Sequence, residues 1–203
     1  MKRSLLCLVL AALPAAAVNI VDNGDFEFQN IGNTFFVAVN GGGNTLSNWN
    51  VLGNGIDVIS NRTGQNQFVN TGQQSVDLAG SPGPGIIYQD LATVVSQQYV
   101  ISFYVSSNGG PFNNALNVSW GGTDLGPVST PALGTWQLVQ FVVTATSTTT
   151  RLQFTDNIGG YQGALLDTVS VDDGVRSGAE LPEPATVFAG LVGIALIALR
   201  RRS

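Results

Sequence analysis

The sequence predicts an all-β fold, a two-sheet jelly-roll β-sandwich, framed by two terminal segments that lie outside it. Three observations carry this. Short runs alternate apolar and polar residues, clusters rich in Gly, Asn and Pro divide them, and residues 18–181 show no helical period of useful length. The predicted division is a leader at 1–17, the sandwich at 18–175, a linker at 176–181 and an apolar tail at 182–203.

The opening, MKRSLLCLVLAALPAAAVN, sets Lys2 and Arg3 before an apolar run from Leu5 to Leu13, then small residues at Ala15 and Ala17. This is the pattern of a secretory signal peptide cut by signal peptidase after Ala17. Cys7 has only six residues before it, too few for a lipoprotein export signal, and is read as part of the apolar stretch.

Residues 18–181 carry Arg62, Arg151 and Arg176 and no lysine, against twelve acids, a net charge of −9. Such a surface repels nucleic acid and anionic lipid, so neither is expected as a partner. The segment also lacks cysteine and histidine. That excludes disulfides, thiol nucleophiles, serine–histidine machinery and the usual zinc sites. At 164 residues it is long enough for one well-buried core.

The strands follow in order. QYVISFYVSS places Tyr99, Ile101, Phe103 and Val105 on one face, with Ser102, Tyr104 and Ser106 on the other. ALNVSW aligns Leu116, Val118 and Trp120, and WQLVQFVVTA and TRLQFTD continue the style. The dividers NGGGN and GSPGPG are turns. Neither has the Lys-Ser/Thr ending or the following helix of a phosphate-binding loop.

GALLDTVSVDD holds a local conflict. Strict alternation puts Asp167 in the apolar row of Leu165, Val169 and Val171. A buried carboxylate needs partners, and with so few arginines the leading ones are backbone donors or a metal. Asp22, Asp25 and Glu27 stand beside Phe26 and Phe28 near the mature N-terminus. If the first and last strands are neighbours, Glu27 and Asp167 converge on an oxygen-rich site of the kind calcium takes. The alternative reading has Asp167 capping a turn or facing solvent.

These residues carry a resemblance. NIVDNGDFE, LSNWNV, GIDVI, TGQQSVDLAGSPGPGIIYQDLAT, QQYVISFYVSSN and ALLDTVSVDD follow the order of the choice-of-anchor C group of bacterial exported proteins. The chain is also similar to the unknown-function domains of plant cell-wall proteins with a galactose-binding-like fold. The resemblance implies a structural calcium held by Glu27 and Asp167, with a backbone carbonyl near Asp25. It implies binding without catalysis, and an extracellular cell-wall or matrix polysaccharide as partner.

Sugar-binding candidates are Tyr104, Phe112, Tyr161 and Trp120, with Asn108, Asn113, Asn114 and Gln162 as polar neighbours. Trp120 is ambiguous, because it shares the apolar face of its strand. A structural or adhesive biofilm-matrix role is the second reading. An enzyme is the third and weakest, with Asp57, Asp77 and Asp124 as the acids open to it, and Asp77 either solvent-exposed or part of a second polar site.

The end of the chain, LPEPATVFAGLVGIALIALRRRS, joins Pro182, Glu183 and Pro184 to an apolar tract from Ala185 to Leu199, then Arg200, Arg201 and Arg202. As a short hydrophobic helix the tract spans roughly 22 Å at about 1.5 Å per residue, short of the roughly 20 residues a permanent span takes. Its three parts resemble a PEP-CTERM sorting signal of Gram-negative bacteria. The resemblance implies transient anchoring in the inner membrane, processing by an exosortase near the Pro-Glu-Pro motif, and delivery to the cell surface or matrix.

Overall fold

The computed structural model describes residues 17–42, 46–81, 83–109, 115–156 and 160–173. The leader through residue 16, the Pro-Glu-Pro motif, the apolar tract and Arg200 to Arg202 lie outside these, as do Phe112 and Asn113. Among the described residues no helix is long and apolar enough to cross a membrane.

Among the described residues eleven strands form the fold: β1 (Phe36–Val39), β2 (Asn50–Gly53), β3 (Ile56–Ser60), β4 (Gln74–Asp77), β5 (Gly85–Ala92), β6 (Gln98–Ser107), β7 (Ala115–Trp120), β8 (Thr123–Ser129), β9 (Gln137–Thr144), β10 (Thr149–Asp156) and β11 (Ala164–Asp173). One sheet runs β1-β3-β4-β11-β6-β9 and the other β2-β5-β10-β7-β8. Their pairings are antiparallel throughout. The only helical turns among the described residues are 3-10 turns at Asn61–Thr63 and Asn66–Phe68. This is the all-β jelly-roll sandwich that the alternating runs predict.

The core lies between the sheets, where the inward rows meet. Ile101, Phe103, Val105, Leu116, Val118, Leu152 and Phe154 are buried there. Phe103 and Phe154 join the sheets edge to face at 5.0 Å. Trp49 is likewise a core residue, 6.2 Å from Phe154. Trp120 belongs to the core as well, 5% exposed, with its ring 5.8 Å from Tyr99 and its Nε1 donating to the Thr144 carbonyl at 3.1 Å. A sugar has no access to that ring, so Trp120 is removed from the binding candidates.

The parity expected for β11 is also corrected. The register shifts between Asp167 and Ser170, and Thr168 has φ 53°. A bulge of this kind adds a residue and flips the faces after it. Leu166, Val169 and Val171 therefore face the core, while Leu165 and Asp167 face outward beneath loops. Asp167 is fully buried all the same.

The N-terminal segment runs beside β11. Asn19 bridges Asp172, the Ile20 N–H donates to the Val171 carbonyl, and the Val18 N–H donates to the Asp173 carboxylate at 2.7 Å. The first segment and the last strand are thus neighbours.

Candidate functional site

The outer face of the six-stranded sheet positions the site. One outward row reads Asp57, Asp77, Leu165 and Ser106 across β3, β4, β11 and β6, and all four residues are buried. Loops cover this face, and their backbone polar groups must be satisfied there.

Asp167 and Glu27 grip one of these covers. Asp167 Oδ2 accepts the N–H groups of Asn70 and Thr71 at 2.9 and 3.0 Å, and Oδ1 accepts that of Thr168 at 2.6 Å. Glu27 Oε1 accepts the N–H groups of Gln73 and Gln74 at 2.5 and 2.8 Å. Gly72 lies between these grips at φ 66°, and a Cβ there would stand 2.4 Å from Glu27 Oε1. Burial pushes the Asp167 carboxyl up to about 7, outweighing the N–H groups that pull it down. Asp25 is exposed and accepts only the Glu27 N–H, at 3.4 Å.

This donor set does not fit a calcium cage. Both Asp167 oxygens face N–H donors, which do the work a cation would otherwise do. Asp25 closes its own turn. Among the described residues no three acids gather around one point. Of the two partners the sequence left open for Asp167, the geometry favours backbone donors.

A second carboxylate sets the loops at the end of the sandwich. Asp77 Oδ1 accepts the N–H groups of Ala79 and Gly163 at 2.9 and 3.0 Å, and Oδ2 accepts the Asn108 side-chain amide. Burial raises this carboxyl to about 7, and the Asp57 charge directly across the register adds to the rise. Asp57 is held by the Ser81 N–H and hydroxyl, each at 3.1 Å. Asp77 is therefore buried, and the polar site it anchors is made of loop backbone and the Asn108 amide.

Above it opens a loop-end cavity of about 220 Å³, lined by Phe35, Phe36, Asp57, Ile59, Phe68, Ser81, Asn108, Tyr161 and Gln162. Phe35 packs edge-on against Phe36 and Phe68 at 6.0 and 5.3 Å. Phe36 is 44% exposed and Tyr161 70%. The structure thus brings together Asn108, Tyr161 and Gln162, three of the sequence candidates. Tyr104 is elsewhere, in the wall of a larger cavity beside the N-terminal segment.

Sequence reasoning missed two residues that matter here, Gln74 and Gln89. Both are buried, and they tie down the N-terminal segment. The Gln74 amide joins the Phe26 carbonyl and the Ile31 N–H at 2.7 and 2.9 Å. The Gln89 amide joins the Asp22 N–H and carbonyl at 2.9 and 3.0 Å. Their signal was present, since each glutamine shares the face of a core residue two positions away, Val76 and Ile87.

Residues 19–172 match the family described as a protein of unknown function, DUF642. No curated protein matches the chain. Among solved structures, TmCBM61 in complex with β-1,4-galactotriose is similar with a TM-score of 0.54 at 16% identity, over 76% of this chain and 97% of that one. The CBM22-1 xylan-binding domain of Paenibacillus barcinonensis Xyn10C follows more loosely, with a TM-score of 0.46 at 17% identity over 66% and 91%. A family 35 carbohydrate-binding module from Clostridium thermocellum gives 0.43 at 20% over 67% and 96%. At such identities the likeness to TmCBM61 establishes the fold.

Proposed function

The chain belongs to the DUF642 family, and from that premise we propose that its sandwich binds polysaccharide without catalysis, at the loop-end cavity. The observation that carries this reading is the joining of two exposed aromatic rings, Phe36 and Tyr161, with the amides of Asn108 and Gln162 in one cavity. Aromatic faces take the C–H surfaces of a sugar, and a few placed polar groups fix its hydroxyls. Asp77 anchors Asn108 and Gly163, so the cavity walls are set before a ligand arrives.

The acids offer poor support for hydrolysis. A glycosidase needs two carboxyl groups that reach opposite sides of the scissile bond. Asp57 and Asp77 sit side by side across one register, and Asp77 is fully buried. Export and anchoring rest on the terminal motifs alone: leader removal after Ala17, exosortase processing near Pro182 to Pro184, and delivery to the surface or matrix. The mass of the mature chain from a host that has an exosortase tests this part.

A glycan array on the purified chain, followed by affinity electrophoresis with Tyr161→Ala, tests the binding. A positive glycan class whose retardation weakens in the variant is the expected outcome. A uniformly negative array defeats it. One observation favours self-association in a matrix instead. The edge strand β9 exposes Leu138 and Val142, which are 46% and 68% accessible. Concentration-dependent oligomers in ultracentrifugation, with negative arrays, would establish that role.

A further inference from the structure

The N-terminal segment presents an aromatic ring on a rigid mount. Phe26 takes a left-handed backbone, φ 57°, and is fully buried 5.7 Å from Trp49. Two residues on, Phe28 is 69% exposed. Irregular backbone of this kind is ordinarily mobile unless its polar groups are held. Here they are held. Asn23 Oδ1 accepts the Phe28 N–H at 3.0 Å, its Nδ2 reaches the Ser47 carbonyl at 2.8 Å, and the Gln74 and Gln89 amides fix both flanks. A segment fixed by so many internal hydrogen bonds holds its phenylalanine in water at a set position.

That ring borders a cavity of about 450 Å³, within the rough range of 300–1,000 Å³ typical of small-ligand sites. Tyr104 lies on its wall from β6, and Ser102 and Ser170 add hydroxyls 2.7 Å apart. The exposed Asp22 and Asp25 line it too, and no arginine or lysine does. Aromatic rings with carboxylates and hydroxyls suit a neutral sugar, while the carboxylates repel a uronic acid. The cover segment at 61–73 separates this cavity from the loop-end one. Its Phe68 lines the latter, and its Thr71 hydroxyl bonds Thr168, on the wall of the former, at 2.8 Å.

We propose that the cavity between Phe28 and Tyr104 is a second polysaccharide site, taking a neutral sugar unit independently of the loop-end cavity. The inference rests on the reading that the sandwich binds polysaccharide, and not on where the first site lies. Two sites on one sheet face let a single long chain engage both, or let one domain join two chains, and avidity follows without new contacts.

Affinity electrophoresis of the purified chain in gels of β-1,4-galactan, xylan and mixed-linkage β-glucan tests it. The unaltered chain is compared with Phe28→Ala/Tyr104→Ala and with Phe36→Ala/Tyr161→Ala. Each double variant is expected to bind about fivefold more weakly, and the combination of four to run unretarded. Weakening only in the Phe36/Tyr161 variant overturns the second site and leaves the first. Weakening only in the Phe28/Tyr104 variant upholds this site and removes the loop-end one. No retardation of the unaltered chain in any gel defeats both. Phe28→Ser alone, altering an exposed side chain, repeats the test should the double variant fail to fold, and unchanged retardation there also overturns the proposal.

Discussion

Asp77 and Asp167 lie on the same face of the same sheet, buried, each with a carboxyl raised to about 7, each collecting N–H donors from a loop. They differ in who the donors are. Both oxygens of Asp167 meet backbone N–H groups, which cannot turn. One oxygen of Asp77 meets backbone and the other meets the Asn108 amide, which can flip and offer its own oxygen. The Thr168 hydroxyl also reaches Asp167 Oδ1 at 3.3 Å, but a carboxylate with backbone on both oxygens has no substitute. One with an oxygen answered by a side chain alone does.

Replacement by asparagine should separate the two most sharply. In Asp167→Asn one NH₂ faces N–H donors in either orientation, and the expected loss is about 3 kcal/mol. In Asp77→Asn a flipped Asn108 restores the pairing, and the loss should stay near 1 kcal/mol. Equal losses in urea melts would break the comparison.

Next in size is Gly72→Ala. The alanine meets Glu27 Oε1 and a backbone at φ 66°, for an expected cost of about 2 kcal/mol. Asp167 would then hold the cover segment against a loosened Glu27, so hydrogen exchange should quicken at Gln73 and Gln74 before Asn70 and Thr71. Simultaneous quickening would show the two grips to be one.

Smaller still is the effect of pH. An unfolded aspartate releases its proton near about 3.9. In the folded chain both carboxyls keep theirs to about 7, so between these values the folded state binds more protons. Their contribution to stability is therefore flat below that window and falls as pH rises through it. Asp77→Asn removes its share, so the difference in Tm between variant and parent should move in the variant's favour from pH 5 to pH 8. A constant difference would mean that Asp77 titrates normally. The smallest expected effect is that of chelator. With Asp167 satisfied by N–H donors, EDTA should shift the Tm by less than about 1 °C. A drop of several degrees, absent in Asp167→Ala, would restore the calcium expected from the resemblance.

Strand faces were legible wherever one side of a strand meets the core and the other meets water, as in β6 and β7. Legibility failed in β3 and β4, whose residues are buried on both faces because loops cover the outer one. Alternation carries no signal there, so Asp77 read as exposed or as part of an unspecified polar site. Asp167 read as buried for a reason the bulge at Thr168 removes. The loop-end cavity was half legible. Asn108, Tyr161 and Gln162 stood out as polar and aromatic residues in glycine-rich loops, but Phe36 joins them only through long-range pairing.

The seam between Val18 and Asp173 has a consequence for maturation. In the unprocessed chain the Val18 nitrogen is a neutral amide donating to that carboxylate. Removal of a leader ending at Ala17 would turn the same atom into a charged ammonium, in place and already aimed. The two ends of the sandwich would then be clasped by a pair of opposite charges completed only by the cut, and leader removal would finish the assembly.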